Sequence, residues 1–348
     1  VPSQASSPIP LSGYPDPLRR GVPLNFRERF IPLGTSVEVQ SNQEIVLEAA
    51  RASFGRYGHF TKTGPVQFLI QLCVDSERRN PEPRPIPSYR ALSHLFHIGY
   101  GESSFAIADL AAGCAIGFVS TELVSDASFF RYTFLECLFY VLAVHRSHTP
   151  VHCATVAADG RGALICGPSG VGKTTLAYAC AKSGMQIVSD DVIHLRMDPA
   201  NGQVALWGNP WTLRLLPEAV EIFPELAGIE IKRKSHQERC LEVDVQRWFP
   251  GSALVSCQPA ALFFVERDHG TENRIRPLGE EQTMRRLSQD IVLDEARVIA
   301  RHQKVLQKLA NIGAYELRYS GSPSVAVELI GDVLQQWDSK PLRGCYRK

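Results

Sequence analysis

The sequence predicts an α/β protein in which a glycine-loop domain follows a smaller α+β domain. Three observations carry this reading. An apolar run, Ala163-Leu164-Ile165-Cys166, leads into Gly167-Pro168-Ser169-Gly170-Val171-Gly172-Lys173-Thr174-Thr175, and an Ala- and Leu-rich stretch to Lys182 is closed by Gly184. Strand, glycine loop and helix in that order is the context in which G-x-x-x-x-G-K-[ST] marks a phosphate-binding loop. A second short strand, Gln186–Ser189, ends in Asp190-Asp191, 17 residues after Lys173. Finally, 348 residues with a hydrophobic fraction of 44% suffice for two domains with a core each.

Taken in order, residues 1–40 are rich in Pro and Ser and read as an extended arm, because such a composition buries little surface. Residues 41–125 read as the α+β domain. Ile45, Val46, Ala49, Ala50 and Phe54 recur at helical spacing, Val66–Val74 reads as a strand, and Phe105–Ala108 with Cys114–Val119 suggests a hairpin. His59, His94 and His97 are scattered and read as surface or packing residues. Ser125-Asp126 starts a helix whose buried stripe is Phe130, Phe134, Leu138, Leu142 and Val144. That helix opens the third segment, the catalytic domain over 126–348.

Residues 151–166 read as a β-hairpin turning at Asp159-Gly160, which puts His152 on the strand beside the glycine loop. Strands follow at Val192–Met197 and Val204–Trp207, then extended chain and a short helix to Leu226. A basic cluster, Lys232, Arg233, Lys234, His236 and Arg239, reads either as a solvated loop or as one that meets phosphate or an acidic substrate. Ala261–Val265 is an apolar strand ending in Glu266-Arg267. Residues 279–311 are largely helical, Tyr315–Tyr319 is a last strand, and Pro323–Trp337 a final helix.

The loop needs each of its parts. Glycines let successive backbone N–H groups converge on phosphate oxygens, and the helix N-terminus adds the positive end of its dipole. Lys173 reaches the outer phosphates and the Thr174 hydroxyl holds Mg²⁺, so the chain is expected to bind ATP. Two adjacent acids at a strand end suit a division between metal binding and proton acceptance, since like charges so close raise one pKa. Lys plus Arg number 37 against 36 Asp plus Glu, so no global field recruits nucleic acid or membrane. The most apolar segment, Phe129–Val144, is interrupted by Arg131 and Glu136, and no secretory leader is recognised in a chain that opens on Val1. Nine cysteines show neither a C-x-x-C pair nor zinc spacing, which fits free thiols and a cytoplasmic setting.

Val151-His152, Gly167 to Thr174 and Asp190-Asp191 together resemble the catalytic domain of bacterial HPr kinase/phosphorylase, where a V-H-G strand, a G-x-S-G-x-G-K-S loop and an A-D-D follow at the same spacings. The resemblance is close over 151–191. It implies a P-loop kinase fold of the HPr kinase/phosphoenolpyruvate carboxykinase type, an ATP- and Mg²⁺-dependent kinase, and a serine-type hydroxyl on a peptide or small protein as acceptor. By that analogy Asp190 accepts the hydroxyl proton, Asp191 holds Mg²⁺ with Thr174 and positions His152, and the loop from Gly167 to Thr175, with Ser169 and Lys173, binds the phosphates. The analogy leaves open which acid does which. Arg267 is a further phosphate candidate.

Cys153 and Thr174 stand where the family has Gly and Ser. The family's E-x-R-G-x-G segment has at best a remnant in Glu225-Leu226-Ala227-Gly228-Ile229, which bears on the reverse, phosphorylase reaction. The resemblance extends to kinases of peptide-modification pathways, and a homo-oligomer is compatible with it. Competing readings are a kinase of a small-molecule hydroxyl such as free serine, and a nucleotide-binding regulator without transfer.

Overall fold

The computed structural model describes residues 21–57, 65–75, 85–198, 200–233, 239–267, 273–288 and 295–336. The chain divides into two compact units, Val1–Ser147 and His148–Lys348.

In the first unit, β1 (Phe26–Phe30), β2 (Val37–Ser41), α1 (Glu44–Phe54), β3 (Phe68–Asp75), β4 (Ser88–Leu92), β5 (Leu95–Tyr100), β6 (Ser104–Asp109) and β7 (Cys114–Ser120) form one seven-stranded sheet and its crossover helix. The sheet order is β1-β2-β3-β7-β6-β5-β4. Strands β2, β3 and β7 run parallel, and the other pairs antiparallel. Here the expected extended arm is corrected. From Phe26 onward it is sheet, because Phe30, Val37 and Val39 supply buried side chains and β1 pairs along β2 from Phe26↔Ser41 to Phe30↔Val37. The prolines mask this pattern without interrupting it. Residues 1–20 of that arm lie outside the described residues.

Three consecutive helical pieces follow α2 (Thr121–Ser125): α3 (Ala127–Phe130), a π-helical stretch Arg131–Glu136, and α4 (Cys137–Arg146). Asp126 caps α3 by accepting a hydrogen bond from the Phe129 amide, as the sequence suggests. By length and composition the whole of Ala127–Arg146 could cross a bilayer, and half of it is buried inside the protein. Phe139 packs on Phe54 and Phe68, so this helix belongs to the core of the first unit. The boundary therefore falls after Ser147, where the sequence reading had opened the catalytic domain at 126.

The second unit begins with β8 (His148–Ala158), β9 (Arg161–Cys166), α5 (Lys173–Lys182), β10 (Gln186–Ser189), β11 (Val192–Met197) and β12 (Val204–Trp207). A small sheet comprises β13 (Thr212–Leu215), β14 (Ile231–Arg233) and β15 (Arg239–Asp244), with β15 central and α6 (Val245–Trp248) following. Strand β16 (Ser256–Arg267), β17 (Arg274–Leu278), α7 (Glu280–Leu287), α8 (Ala296–Ala310), β18 (Ala314–Tyr319) and α9 (Pro323–Gln336) complete it. The long strands β8 and β16 each serve two partnerships. Strand β8 pairs with β11 through His148–His152 and with β9 through Cys153–Ala158. Strand β16 pairs with β12 near its start and then with β9. Hydrogen bonding thus closes a circuit, β8–β9–β16–β12–β11–β8.

Strand alternation sends β8 and β9 side chains into two cores. Ala154, Val156, Ala163 and Ile165 pack with α5 and α9, whereas Cys153, Ala157, Leu164 and Cys166 pack with Leu195, Leu206, Leu262 and Leu306. Three histidines are buried beside the second core. His148 and His194 meet edge to face with ring centres 6.0 Å apart, and His302 Nδ1 lies 2.8 Å from the Thr149 hydroxyl.

Candidate active site

Strands β9, β16 and β18 run parallel, and the glycine loop leaves the carboxyl end of β9. Ligand sites in such sheets gather at that end. Residues 168–170 are exposed, and α5 begins at Lys173 with no acidic side chain of its own in the first turn. Gly167 is required by space: a Cβ there would lie 2.9 Å from Val171 Cγ1 and 3.2 Å from the Val265 carbonyl, at φ +154°. The Lys173 ammonium donates to the carbonyls of Gly167 at 2.9 Å and Pro168 at 3.1 Å, which holds it over the loop.

The twin acids interrupt what would otherwise be one strand along β8. Ser189 faces Thr155 and Val192 faces His152, with Asp190 and Asp191 bent between them. At this bend the two carboxylates separate, one buried and the other exposed. Asp190 is 8% exposed and turns inward, where Oδ2 accepts a hydrogen bond from the Arg214 amide of β13 at 2.8 Å. Asp191 turns outward, its side chain 59% exposed, and its Oδ1 lies 3.2 Å from Nδ1 of His152. A contact so exposed is worth only about 0–1 kcal/mol. Its effect is on orientation, since it fixes one ring nitrogen of His152 and leaves the other facing away.

Burial pushes the Asp190 carboxyl up to about 6, and the negative charge of Asp191 adds to the rise; the Thr174 hydroxyl and the Arg214 amide oppose it. Its oxygen Oδ1 is buried without a hydrogen-bond partner. A buried, unpartnered carboxylate oxygen next to the hydroxyl that ends the phosphate loop fits a hard divalent cation such as Mg²⁺, which takes oxygen ligands and one or two carboxylates alongside phosphate oxygens. Among the described residues there is no group of three or more His, Cys, Asp or Glu side chains able to hold a metal by themselves.

The structure thus brings Lys173, Thr174, Asp190, Asp191 and His152 to one end of the second unit. Ser169, Gly170, Val171, Gly172 and Thr175 complete the loop and its first helical turn. Arg267 sits at the carboxyl end of β16, its guanidinium 5.0 Å from the centre of the Tyr319 ring. Of the basic cluster, Lys232 on β14 pairs with Glu242 on β15, which also pairs with Arg214; residues 234–238 lie outside the described residues. The sequence reading missed Arg214, which acts through its backbone and so leaves no side-chain signature. It also missed Gly208, where a Cβ would stand 1.9 Å from the Val188 carbonyl, two residues before the acid pair.

The chain shows partial likeness to known proteins. Residues 163–236 match the model of an AAA domain family, which supports an α/β fold with a phosphate-loop region. The HPr kinase/phosphorylase of Geobacillus kaustophilus (strain HTA426) is 30% identical over 112 residues, and that of Bacillus subtilis (strain 168) 36% identical over 83. Over those stretches the chain is similar to HPr kinase/phosphorylase. The first match spans 29% of this chain and 33% of the relative, and the second 24% of each. A solved structure, the Hpr(Ser) kinase/phosphatase from Coxiella burnetii, aligns with a TM-score of 0.31 at 15% identity, over 55% of this chain and 99% of that one.

Proposed function

We propose that this chain is an ATP- and Mg²⁺-dependent kinase that passes the γ-phosphate to a serine-type hydroxyl on a peptide or small protein. The observation that carries the proposal is the split of the acid pair, one carboxylate buried beside Thr174 and the other held by His152 at the surface. The similarity to HPr kinase/phosphorylase supports the reaction class.

In this reading the roles suggested by the family resemblance are exchanged. Thr174 and Asp190 hold Mg²⁺, and Asp191 with His152 takes the proton. Bound there, Mg²⁺ neutralises charge on the phosphates, which is much of what phosphoryl transfer requires. The loop amides and Lys173 position the triphosphate and offset its charge. The acceptor oxygen forms its bond to the γ-phosphorus as the bond to the β–γ bridging oxygen breaks, and ADP leaves. The hydroxyl proton passes to the exposed Asp191–His152 pair, which solvent and an acceptor can reach, as they cannot readily reach Asp190.

The deciding experiment is transfer from labelled ATP to a serine-containing peptide, with Asp191→Asn compared against wild type. The variant should keep Mg-ATP affinity and lose transfer by about 10²-fold or more, the usual scale for a positioned proton acceptor. Transfer at the wild-type rate would refute the assignment.

A further inference from the structure

We infer that Arg267, seated on Tyr319, is the platform on which the base of the nucleotide stacks, on the side of the phosphate loop away from the acid pair. The inference rests on the nucleotide reading above and names the seat of the nucleoside end. Strand β9, which launches the loop, has β8 on one side and β16 on the other. The acid pair lies on the β8 side, between β10 and β11, which both pair with β8. In a loop of this kind the amides cradle the inner phosphates, and the terminal hydroxyl serves the outer ones through the metal. The Thr174 hydroxyl bonds to Asp190, so on that reading the γ-phosphate lies toward β8. The nucleoside then leaves toward β16 and β18.

Two side chains occupy that side. Strands β16 and β18 pair in parallel as far as Arg267↔Tyr319, three residues beyond Phe264↔Cys166, where the loop departs. At the usual rise of a strand, Arg267 stands roughly 10 Å further out than the start of the loop. Tyr319 is buried, and its hydroxyl lies 3.4 Å from where a Cβ on Gly172 would stand, so the ring reaches to the loop. The Arg267 guanidinium lies over that ring, 5.0 Å from its centre, and donates to the Gly321 carbonyl at 3.4 Å. Its neighbour Glu266 is taken by Arg286 and Arg318. Arg267 is exposed and forms no ion pair among the described residues.

A guanidinium is planar and stacks on π systems. With one face on Tyr319 and the residue open to solvent, Arg267 offers a purine a surface that is already set, so little side-chain freedom is lost on binding. Its place beyond the loop suits the base rather than the phosphates that the loop holds.

The test compares the full-length wild type with Arg267→Ala for affinity toward ATP and toward inorganic tripolyphosphate, by calorimetry at one Mg²⁺ concentration. Arg267→Ala should lose about tenfold in ATP affinity, the scale of one lost stacking contact, and keep its affinity for tripolyphosphate. The retained tripolyphosphate binding also shows that the variant is folded around an intact loop. Arg267→Lys keeps the charge without the planar face, so its ATP affinity should stay near that of Arg267→Ala. Equal loss of both ligands, unchanged ATP affinity in the alanine variant, or full recovery in the lysine variant would overturn the inference. A wild type that binds neither ligand would strike the phosphate-loop reading and this inference with it. Absence of transfer alongside the expected affinities would strike the kinase reading while upholding this one.

Discussion

Asp190 shows at the scale of one residue how a site is assembled at the expense of stability. A carboxyl whose folded pKa is raised binds its proton more tightly when folded than unfolded, so ionising it destabilises the fold. The loss develops between the ordinary value of 3.8 and about 6 and persists above that. Asp190→Asn should therefore be more stable than wild type at pH 7.5, by on the order of 2 kcal/mol, and no more stable at pH 4. Urea titrations at the two pH values check this. On the proposed reading the same titration would govern metal binding, because a proton and Mg²⁺ would compete for one carboxylate. Enhancement of nucleotide affinity by Mg²⁺ should fade below about pH 6 in wild type and be lost in Asp190→Asn, measured by calorimetry with and without the metal. The positions of Lys173, Thr174 and the two acids were legible in the sequence because strand, loop and helix leave little freedom. The division of labour proposed for them was not, because it is argued from which way each carboxylate turns and from a backbone amide, that of Arg214, which any residue but proline would supply.

Among the elements, strands and helices with clear periodicity were readable: the hairpin over β8 and β9, α5, β10, β11 and α9 all stand close to where alternation and glycine stops put them. The small sheet of β13, β14 and β15 was not, since its strands are three to six residues long and pair across segments with no turn signature. That sheet supplies the amide that holds Asp190. Gly208 sets another element-level constraint, because any side chain there meets the Val188 backbone of β10. Gly208→Ala should displace the end of β10 and cost at least about 2 kcal/mol, more than an ordinary surface change, with loss of nucleotide binding as the accompanying readout. Burial and His148 together hold His194, on β11, down to about 3. A histidine kept neutral in the fold but free to protonate when unfolded makes stability decline as pH falls below about 6.5, by roughly 1.4 kcal/mol per unit. Denaturation midpoints at pH 7 and pH 5 should therefore differ less in His194→Phe than in wild type.

At the scale of the whole molecule, the candidate site falls within one unit. Both cores that flank the phosphate loop, and all five candidate side chains, come from residues after 147. The sequence placed this division some twenty residues too early, because a helix start is visible in a sequence whereas the core it packs into is not. The five-strand circuit carries a consequence for synthesis. Strand β9, which launches the phosphate loop, has β8 on one side from the outset, but its other neighbour is β16, made only after β10 to β15. Long-range parallel pairing of this kind is slow, and until it forms one edge of β9 is unsatisfied. Nascent chains that stop before Ser256 on stalled ribosomes should fail to retain an ATP resin, while chains carrying the completed second unit should be held. On the proposed reading the growing polypeptide would thus be kept from engaging the nucleotide around it until the residues from Ser256 onward, about the last quarter of these 348, have emerged.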